Sequence, residues 1–459
     1  RVTQQEFDET LVNAQVLLET PCKTNIDRRK LIAAAVRVYK HAFKNLDTKL
    51  SPVTDYELVW EQIHKNTGAM FPTFMKKSAC FEHFCQVAND TFRGSRYVFY
   101  WPIMMMFRLQ LRLRDCEIIQ KIRVMYPFPG AIIFLEDMFI IALVAHFRSI
   151  DNSFYSLGLT GGEISELLET KFDHISDLNQ SNIPLALRKM VVSLDISAFD
   201  QNICREVMIM GFWVLRTAFS MPRYLSEIFE ELVIYNIVSA QFYRNLTKKQ
   251  TAVVIKEHGL SSGSGFTNML GTICHAIMLE YMDPGVLERN AVILCSDDNI
   301  MVIDNVDHYL RLQRDYKDVF GLVIDNAKTE FFTNPRDRVH FLGFYWYDYV
   351  RHIEPKLAIN QMVHHTQFIV ELDQFDREVA RSASVLLNGI NGSNYFAKIF
   401  PDVQRILDIG GDIRFFYLPG ASALPRGDLP VKETRLGDTS KHRIEESLRE
   451  HLDYGWRIR

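Results

Sequence analysis

The chain has 459 residues, and 52 Lys and Arg against 56 Asp and Glu leave a formal net charge of −4. Hydrophobic residues at 47% and charged residues at 24% are those of an ordinary globular protein, which excludes a disordered chain, a collagen-like fibre and a disulfide scaffold. The mild acidity excludes coating of nucleic acid by bulk charge but leaves room for a local basic channel, because local field matters more than net charge.

The chain opens on Arg1 instead of Met, as a processed or trimmed form would, and no signal-peptide pattern stands at its start. Apolar residues at three- and four-residue spacing predict helices over 7–18 and 31–46. Residues 97–107 are apolar and aromatic. A basic run follows at Arg108, Arg112, Arg114, Lys121 and Arg123, then a turn at Pro127, Pro129 and Gly130. The longest apolar stretch, 131–146, is interrupted by Glu136 and Asp137 and falls short of the ~20 apolar residues of a membrane span. Residues 190–194 (MVVSL) predict a short strand that runs into Asp195. Helices are expected over 203–219 and 224–234, and a strand over 251–255. A Gly/Ser loop at 259–265 precedes a long apolar helix over 267–282. The runs AVILC and NIMVI flank Ser296, Asp297 and Asp298, which predicts a hairpin with acids at its tip. A helix over 306–320, a strand over 322–325 and a strand pair across 330–346 come next, and the pattern is helical after Pro355. Residues 419–430 read as a Pro/Gly linker, and 440–453 as a charged helix with Ile444, Leu448 and Leu452 on one stripe.

Strands and helices are segregated instead of alternating, so the fold class is α+β, a sheet core within a mostly helical body. The length corresponds to roughly three domains or subdomains. Cys22, Cys80, Cys85, Cys116, Cys204, Cys274 and Cys295 are few, scattered and odd in number, which fits a reducing compartment. Cys80, His83 and Cys85 match no zinc-module spacing and read as buried thiols beside Phe81 and Phe84.

The acids carry the chemistry. Asp195 ends an apolar strand, Asp200 follows five residues on, and Asp297 and Asp298 sit at a hairpin tip. Carboxylates that follow buried strands need something to offset their desolvation. A hard divalent cation does so, and carboxylate oxygens suit Mg²⁺ or Mn²⁺. Two strand ends side by side in one sheet could hold two ions about 4 Å apart, the arrangement that serves phosphoryl transfer. Between the acids, Ser261 to Asn268 (SSGSGFTN) lead into a helix. Such a loop offers backbone N–H groups and a dipole to an anion, and its glycines permit close approach of a ribose or nucleic-acid backbone. Lys121, Arg123 and Lys328 are cations able to hold a triphosphate or protonate its leaving group.

In this order the residues resemble the motifs of viral RNA-dependent RNA polymerases. Asp195 to Asp200 (DISAFD) is similar to motif A, Ser262-Gly263 with Thr267 to motif B, and Ser296-Asp297-Asp298 to motif C. The stretch around Lys328 (DNAKTEFF) resembles motif D, Phe341 to Phe344 motif E, and Lys121-x-Arg123 the basic motif F. The run SGSGFTN is most like double-stranded RNA virus polymerases of the picobirnavirus and partitivirus type, and the likeness spans about 120–346. It implies a right hand of fingers, palm and thumb with an antiparallel-sheet palm. The expected division is 1–188 N-terminal region and fingers, 189–210 palm, 211–257 fingers insertion, 258–350 palm, and 351–459 thumb and tail.

The resemblance also implies roles. Asp195, Asp297 and Asp298 would hold two Mg²⁺ or Mn²⁺ ions. Asp200 would face the ribose 2′-OH of the incoming nucleotide. Ser262, Gly263, Thr267 and Asn268 would lie near ribose and template, Lys121 and Arg123 at the triphosphate, and Lys328 would be the general acid for pyrophosphate. Template and product RNA and ribonucleoside triphosphates are the implied partners, with a capsid protein admitted as a further one and no membrane, in the virion interior and host cytoplasm. Two positions depart from the family pattern: Ser296 stands where motif C commonly begins with Gly, and Gly271 where many families place Asn. The rival readings are a reverse transcriptase-like polymerase and a non-catalytic, capsid-associated, carboxylate-rich protein. The first usually has an aromatic residue where Asp200 stands, and an acid there can accept a hydrogen bond from a 2′-OH.

Overall fold

The computed structural model describes residues 22, 24–63, 65, 67–114, 117–150, 153–178, 188–245 and 250–352. The helix expected over 7–18, the linker over 419–430, the tail helix over 440–453 and all but the first two residues of the thumb segment lie outside these residues. The described strands are β1 (Ile103–Met104), β2 (Met106–Arg114), β3 (Glu117–Met125), β4 (Met190–Ser193), β5 (Ala240–Asn245), β6 (Gln250–Ile255), β7 (Val292–Cys295), β8 (Asp298–Ile303), β9 (Glu330–Phe332), β10 (Val339–Phe341), β11 (Phe344–Tyr347) and β12 (Val350–His352).

At the centre is a four-stranded sheet in the order β7-β8-β4-β9, antiparallel throughout, with Val192 opposite Met301 and Ser193 opposite Glu330. Its strands are continuous apolar runs because both faces are covered. Alternate residues point to opposite faces. Met190, Val192, Leu194 and Met301 therefore join the large core, while Val191, Ile293 and Ile300 join a smaller one with Leu168, Phe172 and Trp346. The strand expected over 322–325 is not formed: only Ile324 bridges, to Ile196. Val323 instead accepts from the Ser197 N–H at 2.8 Å, because the neighbouring edge of β4 is already taken by β9.

Helix Thr267–Met282 is buried nearly all round, as its mainly apolar sequence dictates. It packs on β7 and on helices Arg28–Ala42 and Arg205–Thr217. The boundary expected at residue 210 falls inside the last of these. Glu280 is anchored there by Arg37 at 2.7 Å and by the N–H groups of Gly285 at 2.8 Å and Leu287 at 3.0 Å. Helix Gly130–Arg148 is, contrary to the expectation from Glu136 and Asp137, long and apolar enough to cross a membrane. In this fold it is a core helix, with both acids buried. The basic run lies on the two-stranded hairpin β2–β3, with Arg123 opposite Arg108 and Lys121 opposite Gln110. A second small sheet pairs β1 parallel to β5 and β5 antiparallel to β6, and β10, β11 and β12 form a third.

Gly211 sits inside helix Arg205–Thr217 because helix Thr267–Met282 crosses it closely. A Cβ at that position would lie 2.8 Å from Leu270 Cδ1 and 2.9 Å from Cys274 Sγ. Both are ends of side chains that can give, and Ala gains about 1 kcal/mol in helix propensity over Gly. Gly211→Ala is therefore expected to change the unfolding free energy by less than ~1 kcal/mol. Gly211→Val adds methyls with no room to yield and should lower it by about 1–3 kcal/mol. Urea denaturation of the two variants checks the contrast.

Candidate active site

The site forms where the central sheet ends. β4 stops at Ser193, and the chain runs through Leu194 to Asp195 beside the β7–β8 turn. The buried Asn299 amide fixes the two ends together, donating to the carbonyls of Leu194 at 3.0 Å and Asp297 at 2.9 Å. The segment after Gly321 flanks Asp195 on the other side. The Asp325 N–H donates to the Asp195 carbonyl at 2.8 Å, and the Asp195 N–H points at Thr329 Oγ1 at 3.4 Å. After a left-handed turn at Ala198, φ 49°, the short helix Phe199–Asn202 carries Asp200. The Asp200 carbonyl accepts from the Leu260 N–H at 2.5 Å, which fastens motif A to the start of the Gly/Ser loop.

The fold thus gathers Asp195, Asp200, Asp297 and Arg123. Desolvation raises the Asp200 carboxyl above the usual range, and the charge on Asp297 adds to it, while Arg123 and the Ser296 hydroxyl oppose. Desolvation raises Asp297 although its side chain reaches the surface, with Arg123 against the shift and Asp195 for it. Lys328 Nζ lies 3.5 Å from Asp195 Oδ2 and also pairs with Asp325. The Asp325 hydrogen bond first, then Asp195, raises the Lys328 pKa. Asp298 begins β8 opposite Cys295 and is exposed, with its charge bearing on Cys295. Among the described residues no three His, Cys, Asp or Glu side chains are grouped so as to hold a metal ion by themselves. The donor set fits a hard cation nonetheless: it is all oxygen, and Arg123 and Lys328 offset the crowded negative charge only in part, since Asp200 and Asp297 stay raised. Mg²⁺ in particular takes one or two carboxylates and completes its shell with water and substrate phosphates.

The Gly/Ser loop is built differently from the expectation. A Cβ on Gly263 would lie 2.2 Å from the Tyr126 carbonyl oxygen and 2.7 Å from Pro127 Cα. This glycine therefore admits the chain after β3. Ser262 Oγ accepts from the Tyr126 N–H at 3.2 Å. The Thr267 hydroxyl is buried within reach of the Ser261 and Ser264 carbonyls, at 2.5 and 2.9 Å, and so shapes the loop. Ser262 and Asn268 are exposed and open to a ligand. For Lys121 the structure gives its place on β3, two residues before Arg123.

Several residues of the site escape a motif reading. His275 and Glu136 are each a polar residue inside an apolar run, the signal that would have found them, whereas Asn299 follows Asp297 and Asp298 and carries no such mark. Glu136 accepts from Asn236 Nδ2 and Ser264 Oγ, both at 2.8 Å, and from the Gly265 N–H at 2.6 Å. Burial pushes its carboxyl up to about 7 against the pull of these donors. His275 Nδ1 lies 2.8 Å from the Ser296 carbonyl and its Nε2 2.8 Å from the Tyr316 hydroxyl. A carbonyl only accepts, so Nδ1 carries the hydrogen and Nε2 accepts from Tyr316.

Burial lowers His275 to about 4 from an ordinary 6.5. Between those values the unfolded chain binds a proton that the native state refuses. Stability is fully present above pH 6.5 and falls as pH drops toward 4. The advantage of the wild type over His275→Gln is expected to shrink by about 2 kcal/mol between pH 7.5 and pH 5. Urea denaturation at the two pH values reads it.

Residues 181–388 match the family model described as viral RNA-dependent RNA polymerase. The RNA-directed RNA polymerase of Cryptosporidium parvum virus 1 (strain KSU-1) is 25% identical over 199 residues. That alignment takes in 41% of this chain and 36% of the relative, so the match spans about a third of the relative's length. The crystal structure of the RNA-dependent RNA polymerase of a human picobirnavirus superposes with a TM-score of 0.64 at 14% identity, covering 92% of this chain and 80% of that one. Its insertion-loop deletion mutant gives 0.58, also at 14% identity, with 98% and 83% covered. These two likenesses establish the right-handed polymerase fold. Residues 181–388, a little under half of the chain, are thus similar to the viral RNA-dependent RNA polymerase family, and the fold is that of the picobirnavirus enzyme.

Proposed function

We propose that this chain synthesises RNA on an RNA template from ribonucleoside triphosphates. The observation that carries the reading is the pair Asp195 and Asp297, held at adjacent strand ends by Asn299, with Arg123 bearing on Asp297 and on the neighbouring Asp200. In this reading the central sheet is the palm, the β2–β3 and β5–β6 hairpins belong to the fingers, and the thumb begins near residue 351.

Asp195 and Asp297 would hold two Mg²⁺ or Mn²⁺ ions, with Asp298 as a ligand at the rim; such ions neutralise phosphate charge and acidify an attacking hydroxyl. Arg123 would pair with the triphosphate, and a guanidinium suits its oxygens. Asp200 would accept from the 2′-OH of the incoming nucleotide. Lys328, charged and 3.5 Å from Asp195, would donate its Nζ proton to the departing pyrophosphate. The exposed Ser262 and Asn268 would face ribose and template. An acid at 200 rather than a bulky aromatic argues against a reverse transcriptase-like preference for deoxyribonucleotides.

Incorporation of labelled nucleotides on an RNA template tests the proposal. Asp195→Ala and Asp297→Ala should each reduce it by about a thousandfold or more, several kcal/mol of transition-state stabilisation, with unchanged thermal unfolding. Near-normal incorporation by either folded variant would remove the assignment.

A further inference from the structure

We propose that Ser296 is a positioning residue for ribose selection: its hydroxyl holds the Asp200 carboxylate from the space that a side chain at position 271 would otherwise occupy. The inference rests on the proposed role of Asp200 and adds to it the group that orients the acid.

Ser296 lies at the tip of the β7–β8 hairpin with φ 58°, a left-handed conformation that glycine adopts without penalty and serine does not. A side chain kept in such a place calls for a reason. The backbone around it is fixed on both sides. The Ser296 N–H donates to Thr272 Oγ1 at 2.8 Å, and its carbonyl accepts from His275 Nδ1 at 2.8 Å. Both partners stand on helix Thr267–Met282, so the direction of the Ser296 Cβ is set by that helix.

That direction brings Oγ within 3.4 Å of Asp200 Oδ1. It also brings Oγ to 2.3 Å, and the Ser296 Cβ to 3.2 Å, from where a Cβ at 271 would lie. Ser296 is itself buried at 4% exposure, so it cannot swing aside into solvent. The side chains at 271 and 296 therefore exclude one another. The helix cannot send a polar group from 271 toward Asp200 while the serine is present, and the serine supplies the donor instead. A hydroxyl donates one hydrogen bond. It holds one carboxylate oxygen and leaves the other to accept from a 2′-OH. The two departures from the family pattern, at 271 and at 296, are thus sterically linked: the serine hydroxyl stands where a side chain at 271 would go.

Ser296 acts through Asp200, so the readout is selectivity. The ratio of kcat/KM for a ribonucleoside triphosphate over its 2′-deoxy analogue would be measured for the wild type, Ser296→Gly, Ser296→Ala, Gly271→Asn, the double variant Ser296→Gly/Gly271→Asn, and Asp200→Ala. Thermal unfolding accompanies each, and Ala serves if Gly loosens the turn. Both Ser296 variants are expected to lower the ratio by about tenfold, the worth of one lost hydrogen bond to a charged group. Gly271→Asn alone should lower the melting temperature, since the asparagine meets the serine. The double variant should recover stability and much of the ratio. If Asp200→Ala lowers the ratio while both folded Ser296 variants keep it at wild-type level, this inference falls and the role of Asp200 stands. If Asp200→Ala itself leaves the ratio unchanged, the reading beneath fails and this inference fails with it.

Discussion

The Asn299 side chain is the interaction on which the rest of the site depends. Two acids at the ends of neighbouring strands repel each other and lose hydration, so nothing in their own chemistry keeps them adjacent. The amide of Asn299 does, by taking one carbonyl from each strand end, Leu194 and Asp297. It is 1% exposed, and a buried bond of this kind is not diluted by competing water. The register of β4 with β8 then fixes how far each acid projects. The acids occupy their positions because the backbone is held, and the Arg123 charge offsets part of the repulsion between them.

A second buried acid performs the matching task for the Gly/Ser loop. Glu136 receives three donors, two of them from Ser264 and Gly265 of that loop. Lys256 lies close by, donating to the Asn236 carbonyl at 2.5 Å and to Ser261 Oγ at 3.2 Å. Burial lowers this lysine to about 7, with the charge of Glu136 opposing the shift. A loop rich in glycine and serine would be a poor template on its own, since its residues have many conformations to lose. Tying it to the core helix Gly130–Arg148 removes that freedom before any ligand arrives, which is the sense in which the site is preorganised.

Much of this architecture was legible in the sequence, and the exceptions share a cause. Strong periodicity located β4, β7, β8 and the helix Thr267–Met282, because each is a long or two-sided apolar run whose burial admits one structure. The acids were legible because carboxylates at the ends of such runs are costly. The strand expected over 322–325 failed because a short apolar segment pairs only where an edge is open, and β9 occupies that edge. Gly263 admits the backbone at 126–128, and in sequence a glycine that does so looks like one that admits a ligand. Glu136 and His275 stand out within their apolar runs, but which groups they and Asn299 bond is decided by contacts between distant segments, which no local pattern encodes. The helix Gly130–Arg148 shows the same limit: Glu136 and Asp137 argued against a membrane span by charge alone, whereas what distinguishes this helix is that it is packed inside the protein.

The loop also explains why a basic residue stands over the acids. Ser262 takes the Tyr126 N–H, and Gly263 lets the chain at 126–128 pass within contact distance. Tyr126 directly follows the end of β3, and Arg123 lies three residues before it on the same chain. Fixing residue 126 therefore fixes the root of the β2–β3 hairpin relative to the palm. Arg123 is then held where its charge lowers the carboxyls of both Asp200 and Asp297. A hairpin joined to the palm only by a flexible turn would leave that charge in solvent, screened within about 10 Å. The close approach at Gly263 converts a mobile surface cation into a fixed part of the electrostatic field at the site. Any side chain there would push the hairpin root away, and the acids would lose the cation that counters them while keeping their own mutual repulsion. Motif B and motif F, far apart in the chain, thus form one mechanical unit through a contact between a glycine and a stretch of backbone.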